Sequence, residues 1–259
     1  MPNFAANLTC LFTELPFMER FAAAARAGFR AVEFLFPYAY TVESIAAELR
    51  NNALTLVLFN MPPGDWETGE RGLACLPGRE KEFAAGVDAA IAYARVLGNT
   101  RVHAMAGIMP VGTDAAELER TYLANIAAAA EKCAAHGLTM CLEPINRRSM
   151  PGYFLTRQEQ AVRYIQTVGA PNLVLQFDFF HVQMEEGCVS LKFRELLPFI
   201  GHCQIAGIPG RHEPDTGELH YAYIFDQMDA LGYAGYTGCE YNPAAGTENG
   251  LGWFAPWRK

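Results

Sequence analysis

The sequence predicts a (β/α)8 TIM barrel in which residues 1–259 form a single domain, and three observations predict it. Eight short apolar runs of strand character alternate with longer segments of helical spacing. Nothing between them has the composition of an interdomain linker. The chain has 259 residues, and one such barrel commonly needs about 250. Strands alternating with helices imply right-handed crossovers and a parallel sheet covered on both faces, and eight such units close the sheet. An open doubly wound sheet would carry a glycine-rich phosphate turn after an early strand. The segment NLTCLFTELP, at the end of the first run, has no glycine.

The predicted strands are residues 4–10, 29–35, 54–60, 101–106, 138–143, 173–178, 201–206 and 236–241. Phe17, Phe21 and Ala25 share one face of a predicted helix. So do Ala161, Tyr164, Ile165 and Val168, which follow Thr156 and Glu159 at capping-box spacing. The alanine-rich stretch 114–136 reads as helix and opens with Asp114 three residues before Glu117. The longest connection, NMPPGDWETGERGLACLPGRE, follows the third strand without helical periodicity. Trp66 and Arg71 within it favour an ordered lid over the site, with a structural Ω-loop as the alternative.

A composition of 51% hydrophobic and 19% charged residues suits a protein with a large buried core. The formal charge of -8 opposes nonspecific binding to nucleic acid, whose affinity comes from lysine and arginine contacts. A small molecule is the expected partner, and an anionic one needs local cations or helix N-termini. No apolar stretch reaches the roughly 20 residues of a membrane span. The start, MPNFAANLTC, lacks the basic and apolar regions of a secretory leader. Seven cysteines without a C-x-x-C pair read as reduced thiols in a cytoplasmic protein. Among them Cys141, Cys203 and Cys239 read as small buried hydrophobes within strands.

Barrels of this kind gather their chemistry at the C-terminal ends of the strands. There the chain places Asn7, Glu33, Asn60, His103, Glu143, Asp178, Gln204 and Glu240. Glu143, Asp178, Gln204 and Glu240 end the runs LTMCLE, LVLQFD, IGHCQ and YTGCE. Three carboxylates and an amide oxygen suit a hard divalent cation, Mg2+ first and Mn2+ second, with positions left for a chelating substrate. His181, three residues after Asp178, is spaced to donate a hydrogen bond to a substrate oxygen. No P-loop, HExxH, G-x-S-x-G or zinc-knuckle spacing is present, and GLGWFA opens no βαβ unit.

The stretches FAANLTCLFTE, GFRAVEFLFPY, NMPPGDWETGERGLACLPGRE, LEPINRRSMPGYFLT, FDFFHVQ, GHCQIAGIPGRHEPDTGELHY and GCEYNP resemble the hydroxypyruvate isomerase family. That family includes the 2-oxo-tetronate isomerases and belongs to the xylose-isomerase-like barrels; the likeness covers nearly the whole chain. The resemblance implies that Glu143 and Glu240 are paired proton donor and acceptor. It implies that with Asp178 and Gln204 they hold Mg2+ or a similar ion, and that His181 contacts substrate. The related sugar epimerases carry a histidine where this chain has Gln204 and a glutamate where it has Ser149. Those departures favour a harder, more weakly held ion and argue against a ketohexose.

The implied reaction converts hydroxypyruvate into tartronate semialdehyde, with a 2-oxo-tetronate or a small ketose as the alternative substrate. Moving a carbonyl by one carbon removes a proton beside it and returns one at the neighbour, through an enediolate whose charge a cation stabilises. The substrate carboxylate calls for a guanidinium. Arg71 ranks first, ahead of Arg211, with Arg147 and Arg148 also in suitable loops. Glu33 and His103 are candidates for hydrogen bonds to ligands or substrate. Phe36, Pro37, Tyr38, Trp66 and Trp253 either wall the pocket or form the interface of a homo-oligomer. Two other classes compete: phosphodiester cleavage, as in DNA-repair nucleases on the same barrel, and sugar-acid binding without catalysis. The first needs more strand-end histidines and a basic surface, and the second leaves both proton-transfer acids unexplained.

Overall fold

The structure, a computed structural model, describes residues 2–258. Among these, eight parallel strands close into one barrel in chain order: β1 Asn3–Asn7, β2 Ala31–Phe34, β3 Thr55–Asn60, β4 Arg101–His103, β5 Thr139–Leu142, β6 Leu173–Asp178, β7 Ile200–Ile205 and β8 Tyr236–Cys239. The last strand pairs with the first, Ala6 standing beside Cys239. Every predicted strand is present, most of them shortened at the exit. The ladder ends where the chain turns outward: after β1, the N–H groups of Cys10 and Leu11 both bond back to the Asn7 carbonyl.

Helices cover the outside: α1 Phe17–Arg26, α2 Val42–Asn51, α3 Glu80–Leu97, α4 Ala115–Ala134, α5 Gln158–Val168, α6 Phe179–Glu185, α7 Val189–Leu196 and α8 Tyr221–Ala230, then the short α9 Thr247–Gly250. Asp114 caps α4 by accepting from the Ala116 N–H at 3.3 Å. The capping box expected at Thr156 and Glu159 does not form. Arg157 occupies the cap position without a side-chain bond, and Glu159 pairs instead with Lys192 of α7. A full ammonium charge outcompetes a neutral backbone N–H for the same carboxylate.

Side chains alternate along each strand between the helical layer and the barrel interior. Low in the interior Ala5, Ala31, Val57, Leu58 and Cys141 form a small apolar cluster. Cys203 and Cys239 are buried in the larger core between barrel and helices, so all three strand cysteines are buried as expected. Beyond the entrance to the barrel, Phe254 stacks on Phe29 with ring centroids 4.2 Å apart and meets the edge of Phe4. Trp253 also packs against Phe4, at 5.2 Å. It belongs to this aromatic seal and not to the pocket wall, because the C-terminal turn carries it to the start of β1. Tyr38 likewise turns aside, bonding the Asn60 carbonyl and packing on Tyr93.

The long connection after β3 is ordered and docks on the exit of β4, where Gly72 pairs with Ala106. Gly72 has φ +106°, and a β-carbon there would lie 2.3 Å from the Met105 carbonyl oxygen, so only glycine fits. Arg79 ties the loop to α3 by bonding both Glu70 and Glu82.

Candidate active site

The upper interior of the barrel is polar. Asn7, Glu33, Asn60, His103, Glu143, Asp178, Gln204 and Glu240 are all buried. Strand register brings Asn7 beside Glu33, Asn60 beside His103 and Asp178 beside Gln204. Glu143 and Glu240 lie one residue beyond their strands, at the mouth. A cavity of about 190 Å³ opens there, bordered by Trp66, His103, Glu143, His181, Arg211 and Glu240.

Asp178 ends β6 and caps α6: its Oδ1 accepts from the Phe180 N–H at 2.8 Å, which leaves Oδ2 aimed elsewhere. Oδ2 has no hydrogen-bond partner among the described residues, and neither has Glu143 Oε1. His181 Nε2 stands 3.6 Å from the first and 3.8 Å from the second. Glu240 is held from two sides, accepting from Arg211 Nη2 at 2.7 Å and from Gln204 Nε2. Arg211 also lies 3.6 Å from Asp178 Oδ2, so one guanidinium serves both acids. It is held at φ +55°, a left-handed conformation costly for a side chain of this size.

Burial disfavours charge on all three acids. It pushes Glu240 up to about 8 and Asp178 up to about 6, against the opposing pull of Arg211 in each case. Glu143 is raised well above the usual carboxylate range by burial and then by the charges of Glu240 and Asp178. His103 is pushed down to about 3 by burial and stays neutral. Both its ring nitrogens lack hydrogen-bond partners among the described residues, and Nδ1 lies 3.6 Å from Glu143 Oε2. Several buried ionisable acids around one half-buried arginine leave negative charge uncompensated, which a folded interior tolerates only with a further cation or with protons. Glu143, Asp178 and His181 each offer one atom within 4.8 Å of the others. The two orphaned carboxylate oxygens and this clustering fit a divalent cation.

Gln204 sits differently from the expectation of an oxygen ligand. Its Oε1 accepts from Gln176 Nε2 at 2.7 Å, and its amide nitrogen donates to Glu33 Oε1 at 2.8 Å and to Glu240. With acids on one side and an amide donor on the other, this orientation gives Glu33, Glu240 and the Gln176 amide nitrogen their partners. Arg71, ranked first for the substrate carboxylate, donates from Nη1 to the carbonyls of Trp66 and Glu70 and stacks over Trp66 at 3.7 Å. The cation at the cavity is Arg211. Arg147 pairs with Glu185 on α6, and the Arg148 N–H closes a turn on Asn146. Phe36 and Trp66 wall the cavity, 5.1 Å apart.

Three buried participants were not singled out in the sequence: Gln176, His202 and Asn146. Gln176 and His202 lie two residues before Asp178 and Gln204, in phase with the interior, so polar residues at that period inside apolar runs were the available signal. Asn146 lies in a turn with no periodicity to mark it. Cys10, in the turn after β1, also borders the cavity.

A closed parallel barrel with acids, a histidine and an arginine around one cavity at its C-terminal mouth defines an enzyme of the TIM-barrel type. Residues 21–257 match the model of the family described as xylose isomerase-like TIM barrel. A 2-oxo-tetronate isomerase of Cupriavidus necator is 54% identical over 257 residues, covering 99% of each chain. The hydroxypyruvate isomerase of Escherichia coli is 44% identical and covers 100% of both. A crystal structure from Brucella melitensis, titled as an AP endonuclease of family 2, superposes with a TM-score of 0.98 at 50% identity over 100% of both chains. The chain belongs to the xylose isomerase-like TIM barrel family and is an isomerase of that family.

Proposed function

We propose that the protein isomerises a short 2-oxo-3-hydroxy acid by moving the carbonyl from C2 to C3. The observation that carries this reading is the pair of buried acids, Glu143 and Glu240, bordering one cavity with Arg211, which pairs with Glu240 and lies 3.6 Å from Asp178. Hydroxypyruvate and a 2-oxo-tetronate share the reacting unit, a carboxylate, a C2 carbonyl and a C3 hydroxyl. They differ only in whether C3 bears a second hydrogen or a hydroxymethyl group. The 54% relative supports the four-carbon acid as first substrate and the 44% relative supports hydroxypyruvate as second.

In this reading Arg211 receives the substrate carboxylate, since its fork suits a planar anion and its position borders the cavity. Glu143 and Glu240 take the proton from C3 and return one to C2. Neutral His103 and His181 offer hydrogen bonds to substrate oxygens, and Trp66 with Phe36 excludes water from the reacting carbons. Glu143, Asp178 and Glu240 would hold Mg2+ or Mn2+, and Gln204 would join them once its oxygen is released from Gln176. The ion supplies positive charge against the enediolate oxygens.

Phosphodiester cleavage, the activity for which the Brucella melitensis protein is named, finds less support. The charge is -8, and among the described residues the cavity offers only His103 and His181 as histidine donors. The deciding experiment incubates the purified protein with Mg2+ and each 2-oxo acid in deuterated water. Isomerisation with deuterium entering at C2 is expected. Inactivity on both acids, or nicking of abasic DNA in their place, would reject the proposal.

A further inference from the structure

Asn146, in the turn after β5, is fully buried, and all of its hydrogen-bonding capacity is used. Its oxygen end is identified by backbone donors: the N–H groups of Arg148 and Ser149 bond Oδ1 at 3.1 and 2.8 Å. The amide nitrogen therefore faces the other way. It gives one hydrogen to Ser149 Oγ at 3.1 Å and the other to His181 Nδ1 at 2.6 Å. The backbone N–H of Asn146 points at the same ring nitrogen from 3.4 Å.

A ring nitrogen facing two donors must present a lone pair. An imidazolium has none to present, and the tautomer with hydrogen on Nδ1 would set N–H against N–H. His181 is therefore a neutral ring whose hydrogen sits on Nε2. That N–H is 3.6 Å from Asp178 Oδ2 and 3.8 Å from Glu143 Oε1, too far to bond either. It borders the cavity as a donor awaiting an acceptor.

We infer that Asn146 is a positioning residue that locks His181 as an Nε2–H donor to a substrate oxygen and so keeps it from serving as a ligand to the cation. The inference rests on the isomerase reading for the identity of the acceptor, while the tautomer stands on the geometry alone. It separates His181 from the carboxylates with which it clusters. A protonated Nε2 cannot coordinate a metal, however close it lies.

The test is nitrogen NMR of the full-length, metal-free protein labelled with 15N-histidine, with the His181 resonances identified by their loss in His181→Gln. Nδ1 should resonate as an unprotonated ring nitrogen and Nε2 as a protonated one, and neither should change character when Mg2+ is added. The reverse assignment, or a move of Nε2 to a metal-bound position, would overturn the inference. Asn146→Asp keeps the shape and can still accept from the N–H groups of residues 148 and 149, and the Ser149 hydroxyl can turn to donate. At Nδ1, however, it presents an acceptor and should reverse the tautomer. Placing a catalytic ring in the wrong tautomer can cost about 10⁴-fold in kcat without disturbing the geometry. A fall of at least about 100-fold in kcat is expected here, with KM changed only a few-fold. A reversed tautomer with wild-type kcat would refute the role. Failure of the unaltered enzyme to turn over either acid would remove the isomerase reading alone, because the resonances report the tautomer independently.

Discussion

The two halves of the barrel mouth treat a buried carboxylate in opposite ways. On the β1–β4 side Glu33 is buried and accepts from Asn7 Nδ2 at 3.0 Å, Gln204 Nε2 at 2.8 Å and His202 Nε2 at 2.7 Å. Its surroundings are fitted to it, and a β-carbon on Gly238 would lie 2.2 Å from its oxygen. On the β5–β8 side Glu143 is equally hidden, yet its Oε1 meets no donor among the described residues. A buried charge that the fold satisfies contributes to holding the fold, whereas one left unsatisfied costs stability and persists at sites of function. The difference teaches that burial and acidity alone do not mark a reacting group. The missing partner singles out Glu143, whereas Glu240 is paired with Arg211 and Gln204 and is set apart by the cavity it borders.

The largest expected effect comes from neutralising the two acids of the cavity. Glu143→Gln and Glu240→Gln should each lower kcat by about 10²–10⁴-fold, and Glu143→Gln, which removes an unsatisfied acid, should leave the urea midpoint of the metal-free protein unchanged or higher. A variant with near-normal turnover would remove that acid from the proton transfer. Glu33→Gln should do the reverse, costing about 3 kcal/mol of stability because it opposes donors with a donor. Loss of activity without loss of stability in Glu33→Gln would erase the contrast between the halves.

A third effect is set by pH. Raised carboxyl values mean that the folded chain binds protons more tightly than the unfolded one. Their contribution to stability is therefore complete below the ordinary carboxylate range. It is lost as pH climbs through about 6 for Asp178 and about 8 for Glu240. In EDTA the urea midpoint should fall between pH 5 and 9, and excess Mg2+ should flatten that decline. A midpoint that rises with pH in EDTA would show that these acids are satisfied without an ion. The smallest effect belongs to the lid. Arg71→Ala should cost about 1 kcal/mol through its stacking on Trp66 and raise KM only a few-fold, less than Arg211→Ala does. Equal increases would return Arg71 to the substrate carboxylate.

Much of this was legible in the chain. The exits of β5 to β8 could be read because a polar residue closing an apolar run of period two is visible without coordinates, and β6 was bounded correctly as residues 173–178. The direction of the Gln204 amide was not legible, because the atoms that fix it come from Gln176, Glu33 and Glu240, the farthest 171 positions away in sequence. The choice between Arg71 and Arg211 was not legible for a related reason. Both lie in loops over the mouth, and only the folded lid shows that Arg71 is already engaged by its own carbonyls.

The alternation of strand and helix, the number of units and the chemical character of each strand exit are local properties, written in residue type and spacing, and the sequence by itself determined them. Which acid is paired, which is orphaned and which nitrogen of His181 carries the hydrogen were decided only by the tertiary structure. Desolvation and hydrogen bonding depend on neighbours within a few ångströms, and barrel closure draws those neighbours from opposite ends of the chain.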